Sequence, residues 1–211
     1  IKDKGYLPES IINNLILLGW SPNKNKDEIV SLAEIINNFK IENMSKSSSI
    51  FSFDKLNFFN NYYLRLNKNS DNFLDFCKSN KEIKKYYIED KNLLLRIFEI
   101  YNSKIIYYEE ILKYINIYYD NYFTLPKIEN KFEKAFNDNF ENFIIEISKI
   151  NNWTKTNLES FVYNFLKKKN IKFPAFAKPI RFLLTNNYNG PSLSDIFFVL
   201  GKKSSMDRLN H

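Results

Sequence analysis

The stretch Gly5-Tyr6-Leu7-Pro8-Glu9-Ser10-Ile11-Ile12-Asn13-Asn14-Leu15-Ile16-Leu17-Leu18-Gly19-Trp20-Ser21-Pro22 sets two glycines, two prolines and an indole around one short apolar segment. Its spacing predicts a helix. Pro8 suits the first turn, Glu9 lies where the helix dipole favours an acid, and Gly19 is placed to end the helix in a left-handed cap. The expected buried face is Ile11, Ile12, Leu15, Leu17 and Leu18, with Asn13 and Asn14 turned outward.

Outward from this run the chain keeps a helical rhythm. Residues 23–27 read as a polar loop, and Ser31 with Glu34 forms a capping box that predicts a helix over 32–38. Asp54 is the expected cap of a third helix running to Leu66, with Leu56, Phe59, Tyr63 and Leu66 on one face. The polar string 67–72 reads as a boundary between domains. Helical spacing then dominates 73–122, as in Leu94, Ile97, Phe98 and Tyr101, or Ile111, Tyr114, Ile115 and Tyr118. Beyond Pro126, Thr156 and Glu159 predict a capped helix running to Lys169 with Leu158, Phe161, Val162 and Phe165 inward, and Pro174 ends the connection after it. A helix near 177–186, a turn at 187–191, a helix from Ser192 closed by Gly201 and a short terminal helix follow. Strand alternation is nearly absent, apart from a possible small strand pair within 41–53.

Composition narrows the function. Apolar residues make up 44% of the 211, but no run reaches the eighteen or so that a membrane span requires. No signal peptide is visible, and the start at Ile1 without methionine suggests a piece of a longer polypeptide. The lone cysteine, Cys77, excludes an internal disulfide and any multi-thiolate metal site, and the one histidine, His211, is the last residue, so histidine acid/base chemistry is not expected. The net charge of +7 suits a polyanionic partner. Much of it is lysine in a chain rich in Lys, Asn, Ile, Phe and Tyr, all with A/T-rich codons, so basicity permits nucleic-acid binding without demonstrating it.

The opening run resembles the segment that follows the class I signature loop in bacterial-type glutamyl-tRNA synthetases, where GYLPE and LLGWS open a tRNA stem-contact domain. A further stretch of that family, carried here by Met44-Ser45-Lys46-Ser47, Phe53-Asp54, Lys55-Leu56, Asn60 and Tyr63-Leu64, lies downstream of it. Met44-Ser45-Lys46-Ser47 mimics the ATP-holding KMSKS loop of class I synthetases; by the resemblance, the true loop and the HIGH-type motif would lie before Ile1. Residues 178–209 resemble the C-terminal end of the same family at Pro179, Arg181, Leu184, Thr185, Pro191, Leu193, Leu200, Gly201, Arg208 and Leu209, with Asn186 standing where the pattern has glycine. All four glycines, Gly5, Gly19, Gly190 and Gly201, fall in these two ends.

Arg181 beside the turn that follows suits recognition of unpaired RNA bases, which stack on planar groups and take paired donors from arginine. The resemblance implies that Arg181, Pro191 and Leu193 contact anticodon bases, with Gly190 in the same turn. A purely structural reading stays open: Arg181 holding a neighbour, Pro191 starting a helix, Leu193 in the core. Lys104 aligns with an arginine that, in the family, reads the third anticodon base; a single ammonium would discriminate less rigidly than a planar fork, and a solvated lysine is the other reading. Lys81, Lys84, Lys85 and the run 167–169 are candidates for phosphate contact.

These readings predict a mainly α protein: a stem-contact module over 1–66, with the possible strand pair, then an all-helical anticodon-binding region in two subdomains, 67–140 and 141–211. The resemblance implies the tRNA-docking part of a glutamate–tRNA ligase whose full length uses ATP and Mg²⁺, with tRNA(Glu) as partner and tRNA(Gln) left open. No catalytic residue, metal or cofactor is expected within this stretch itself. A monomer without membrane contact is expected, in a bacterial cytoplasm or an organelle of an A/T-rich eukaryote. A helical protein-interaction scaffold with incidental lysine excess is the alternative from another class. A shortened, tRNA-modifying synthetase paralogue is disfavoured, since the resemblance implies that such proteins lack the anticodon-binding domain.

Overall fold

A computed structural model describes residues 1–20, 28–46, 49–66, 70–127, 132 and 134–210. Among them the backbone forms eleven α-helices and no strand. The chain divides into two compact units, Ile1–Leu112 and Lys113–His211.

In the first unit α1 (Pro8–Ile16) begins with Pro8 in its first turn as expected, but its buried face is not the one predicted, and Ile11, Leu17 and Leu18 are only half-buried. Ser10, Asn13 and Asn14 are buried, whereas Ile12 is 38% and Leu15 50% exposed. Ser10 and Asn13 go inward because partners wait there. Asn13 Nδ2 donates to the Glu28 carbonyl at 3.0 Å, and Asn13 Oδ1 accepts from the Val30 N–H at 2.9 Å and from the Tyr63 hydroxyl at 3.1 Å. The helix ends at Leu17 in right-handed conformation, so Gly19 is not its left-handed cap.

The second helix, α2 (Leu32–Asn38), carries the expected capping box between Ser31 and Glu34. Among the described residues the expected strand pair is absent: Ile41–Asn43 winds into a 3-10 turn, and pairing is limited to one antiparallel bridge between Trp20 and Met44. Helix α3 (Phe53–Leu66) starts before Asp54, with the Lys55 N–H donating to Ser52 Oγ at 3.3 Å. Its buried face is Leu56, Phe59, Asn60 and Leu64, whereas Leu66 is exposed. The predicted loop at 23–27 and residues 67–69 of the predicted boundary lie outside the described residues, and 70–72 open α4 (Ser70–Ser79).

Asn60 is the hub of this unit. Its buried Oδ1 accepts from the Leu7 N–H at 2.8 Å and the Ser10 hydroxyl at 2.7 Å, and its Nδ2 donates to the Ile106 carbonyl. Asn61 Nδ2 donates to the neighbouring Ile105 carbonyl at 2.8 Å. Gly5, at φ 80°, packs its bare Cα against Tyr108, where an added Cβ would stand 2.6 Å from the tyrosine Cβ. Tyr108 in turn sits edge-on to Phe73 and Phe98, which stack at 4.1 Å between α4 and α5 (Lys84–Tyr101). Helix α5 breaks at Asp90, whose carboxylate caps the restart by accepting from the Asn92 and Leu93 N–H groups.

The second unit holds most of α6 (Leu112–Tyr118), then α7 (Lys134–Asn137), α8 (Phe140–Ser148), α9 (Lys155–Lys168), α10 (Phe173–Thr185) and α11 (Leu193–Leu209). Its core is aromatic. The buried Phe143 ring is met by Phe161, Phe165, Phe176 and Phe197 at centroid distances of 5.1–6.2 Å. The cap of α9 is Thr154, which accepts from the Asn157 N–H, and not Thr156. Pro174 opens α10 instead of lying in a connection before it. Gly201, at φ 76° and ψ 170°, breaks α11 where the sequence predicts.

That break turns the last residues back under α10. Arg208 Nη1 donates to the Ile117 carbonyl at 2.7 Å and the Leu184 carbonyl at 2.6 Å, Nη2 pairs with Asp120 at 2.7 Å, and the guanidinium lies 3.7 Å from the Phe123 ring centre.

Candidate nucleic-acid interface

The corner between α10 and α11 gathers four of the five candidate residues, Arg181, Gly190, Pro191 and Leu193. Helix α10 stops because Asn186 takes the left-handed conformation, φ 56° and ψ 23°, and its N–H returns to the Phe182 carbonyl at 2.8 Å. Asparagine tolerates that conformation better than other side-chain-bearing residues, which explains how it stands where the resembled pattern has glycine. The turn is then tied by side chains: Asn187 Nδ2 donates to the Thr185 carbonyl at 3.0 Å, and the Thr185 hydroxyl lies 2.8 Å from the Arg181 carbonyl.

Arg181 closes the corner. Its Nε donates to the Pro191 carbonyl at 3.1 Å and its Nη1 to the Tyr188 carbonyl at 3.0 Å. The guanidinium thus spans the turn from both sides and orders it. Gly190 passes beside the arginine stem, where an added Cβ would stand 3.6 Å from Cδ. Pro191 is half-buried, and Ser192 caps α11 by accepting from the Asp195 N–H at 3.1 Å. Asp195 is held on its other side by Lys155 at 2.5 Å, and that hydrogen bond is the main cause of the raised Lys155 pKa.

An aromatic pair unforeseen in the sequence lies on this corner. Tyr188 stacks on Phe182 at 4.4 Å with ring planes 9° apart, and it is 46% exposed. A tyrosine beside an Asn-Gly turn and six residues from a phenylalanine on the preceding helix was the available signal. Leu193, by contrast, is buried as it enters α11.

Lys104 lies in the first unit, just past α5, with an exposed side chain and its N–H on the Tyr101 carbonyl at 2.8 Å. The loop that carries it is fixed by Asn60 and Asn61 from α3 and by Glu110, whose carboxylate accepts from the Ile106 N–H at 2.6 Å. Lys81 and Lys84 are exposed, and Lys85 lies 4.7 Å from the Tyr86 ring centre.

Among the described residues no group of three or more His, Cys, Asp or Glu is placed to hold a metal ion. Burial pushes the Cys77 thiol far above its ordinary range, so it is no ready nucleophile. Of the KMSKS-like stretch, Met44 pairs with Trp20 and the Ser45 N–H donates to the Gly19 carbonyl at 2.7 Å, which ties it into the fold; Ser47 lies outside the described residues. No described helix is long and apolar enough to cross a membrane.

The family model described as an anticodon binding domain matches residues 71–211. The chain belongs to the anticodon-binding domain family. A second model, the catalytic domain of class I tRNA synthetases (E and Q), matches residues 1–58 and so takes in the opening run. The family resemblance extends along the whole chain. Over 218 residues it is 31% identical to a glutamate–tRNA ligase of Mycoplasma capricolum, covering 99% of this chain and 44% of that protein. A glutamate–tRNA ligase 1 of Fervidobacterium nodosum is 28% identical over 211 residues, with 99% and 42% covered. The fold superposes on a crystal structure of a glutamate tRNA ligase from Elizabethkingia meningosepticum in complex with its amino acid, at a TM-score of 0.74 and 25% identity, covering 99% of this chain and 41% of that one. The chain therefore spans less than half the length of the curated relatives it matches.

Proposed function

We propose that this chain docks tRNA(Glu) for a glutamate–tRNA ligase and that the α10–α11 corner meets its anticodon. The observation that carries the proposal is the corner itself: a turn pinned by Arg181, bearing an exposed tyrosine stacked on a second ring, in a chain of anticodon-binding descent. Unpaired bases are recognised by stacking and by edge hydrogen bonds, and both kinds of group are gathered here. Arg181 supplies the charge and the order of the turn, Gly190 and Pro191 its backbone surface, and Tyr188 a ring face. Leu193 acts from beneath, as the buried anchor of α11, and Lys104 is a secondary contact.

In this reading residues 1–66 meet the tRNA stem and 67–140 and 141–211 form two anticodon-binding subdomains. Activation of glutamate with ATP and Mg²⁺, and its transfer to the tRNA end, belong to the portion of the ligase beyond this chain's span of its relatives. This chain contributes position: binding energy gathered at the anticodon orients the far end of the same tRNA. A cytoplasmic or organellar monomer fits this role, with tRNA(Gln) as a second possible substrate.

The test is binding of the chain to tRNA(Glu) transcripts with native and changed anticodons. Wild type should prefer the native anticodon, and Arg181→Ala should reduce that preference by roughly tenfold, the scale of one lost specific base contact. Indifference of the wild-type chain to the anticodon would replace this reading with that of a helical scaffold.

A further inference from the structure

Beside the corner, and sharing Leu193 with it, α9 and the starts of α10 and α11 enclose an open groove of about 450 Å³. Its floor is apolar, formed by Val162, Leu166 and Leu193, all buried. Its rim is aromatic and uncovered: Tyr163 is 64% exposed and Phe173 51%. Large rings exposed to this degree around an apolar floor mark a surface that is covered during function.

The surrounding charge selects the kind of cover. Lys167 follows Tyr163 by one helical turn, with its ammonium 5.8 Å from the ring centre, and Lys168 and Lys172 are exposed at the same end. Lys168 has Glu146 at 3.8 Å. Glu159 also lines the groove, about 12 Å back along α9 by helix rise, so the lysine end carries the positive field. The Ser192 hydroxyl stands at the wall where α11 begins, immediately after Pro191. Aromatic faces over an apolar slot, with lysines at one end, is the arrangement that holds single-stranded nucleic acid: the base stacks and the phosphate meets the ammonium.

We propose that this groove takes one unpaired nucleotide of the bound RNA, next to those at the Arg181 corner. Its base lies against Tyr163 and Phe173 and its phosphate against Lys167. The inference rests on the docking role proposed above and adds to it a site that grips without reading sequence. Stacking accepts every base, so the groove contributes affinity and the corner contributes preference.

The experiment measures binding of the intact chain to tRNA(Glu) transcripts with native and with changed anticodon. Tyr163→Ala should weaken both alike, by at least about fivefold, whereas Tyr163→Phe, which keeps the ring, should stay near wild type. Lys167→Gln should lower the slope of log affinity against log salt by roughly 0.7 to 0.9. An abasic substitution scanned through the anticodon loop should find one position that weakens wild type but not Tyr163→Ala. Both rings are exposed, so the variants should keep wild-type helicity by circular dichroism. Equal affinity of Tyr163→Ala and wild type would overturn the groove, whatever Arg181→Ala does, and would leave the face to a protein partner. Full anticodon preference in Arg181→Ala, with Tyr163→Ala still weakened, would remove the corner reading and keep the groove.

Discussion

Gly5 is a position where one hydrogen decides the local structure. Its φ of 80° lies in the left-handed region, and any Cβ there would collide with Tyr108 at 2.6 Å and with Phe76 at 2.9 Å. Gly5→Ala should therefore cost roughly 2–5 kcal/mol, from backbone strain and overpacking together. With Trp153→Phe as background, Trp20 in the first unit becomes the lone indole, and its fluorescence during urea unfolding reports the change. A midpoint equal to that of the background protein would refute the collision. Gly19 and Gly201 make a useful contrast. An added Cβ at Gly19 meets only the end of the Met44 side chain at 3.2 Å, and at Gly201 the need is conformational, with nothing within 4 Å.

At the scale of elements, the ends of helices were often legible in the sequence and their faces often were not. Ser31 and Glu34 announce α2 because a capping box is closed within four residues. The inward face of α1 could not be read, because Asn13 is satisfied by Glu28 and Val30, and Ser10 by Asn60 fifty residues away. Periodicity counts asparagine as polar and cannot see a distant partner that makes its burial tolerable. Helix α9 is capped by Thr154, two residues before the expected Thr156, with Lys155 reaching Asp195 on α11. The candidate site divides in the same way: Arg181 and its turn were legible from motif and spacing, whereas the Tyr188–Phe182 stack depends on how Asn186 bends the chain. The hub on α3 gives a graded prediction. Asn60→Ala strands the Leu7 N–H and the Ile106 carbonyl and should cost about 2–4 kcal/mol, while Asn61→Ala loses one partly buried bond and should cost about 1 kcal/mol. Amide hydrogen exchange across residues 101–108 should accelerate more in the first variant, and the reverse order would remove Asn60 as hub.

For the whole molecule, the two units are closed by different chemistry, and among the described residues the second is keyed to the charge pair of Arg208 and Asp120. Burial pushes the Asp120 carboxyl up, but hydrogen bonds from Ser204 and Arg208, with the charges of Arg208 and Lys203, outweigh it and hold the pKa below the usual aspartate value. A carboxylate with a depressed folded pKa adds stability above its unfolded pKa and loses it as pH falls through the folded one. Acidification below the ordinary aspartate range should thus weaken the latch of the second unit, and Asp120→Asn should flatten that response. Trp153 fluorescence in a Trp20→Phe background follows this unit by itself. Parallel acid transitions in the two proteins would show that the pair carries no linkage.

The seam in the first unit also sets a schedule. Asn60 joins Leu7 across 53 residues and Ile106 across 46, and Gly5 is paired through its carbonyl to the Tyr108 N–H. Contacts so far apart along the chain make closure a slow, late event compared with the winding of single helices. On the ribosome the opening run has no completed home in its own unit until the chain near Leu112 has emerged, so during synthesis it waits, uncommitted, for the other half of that unit.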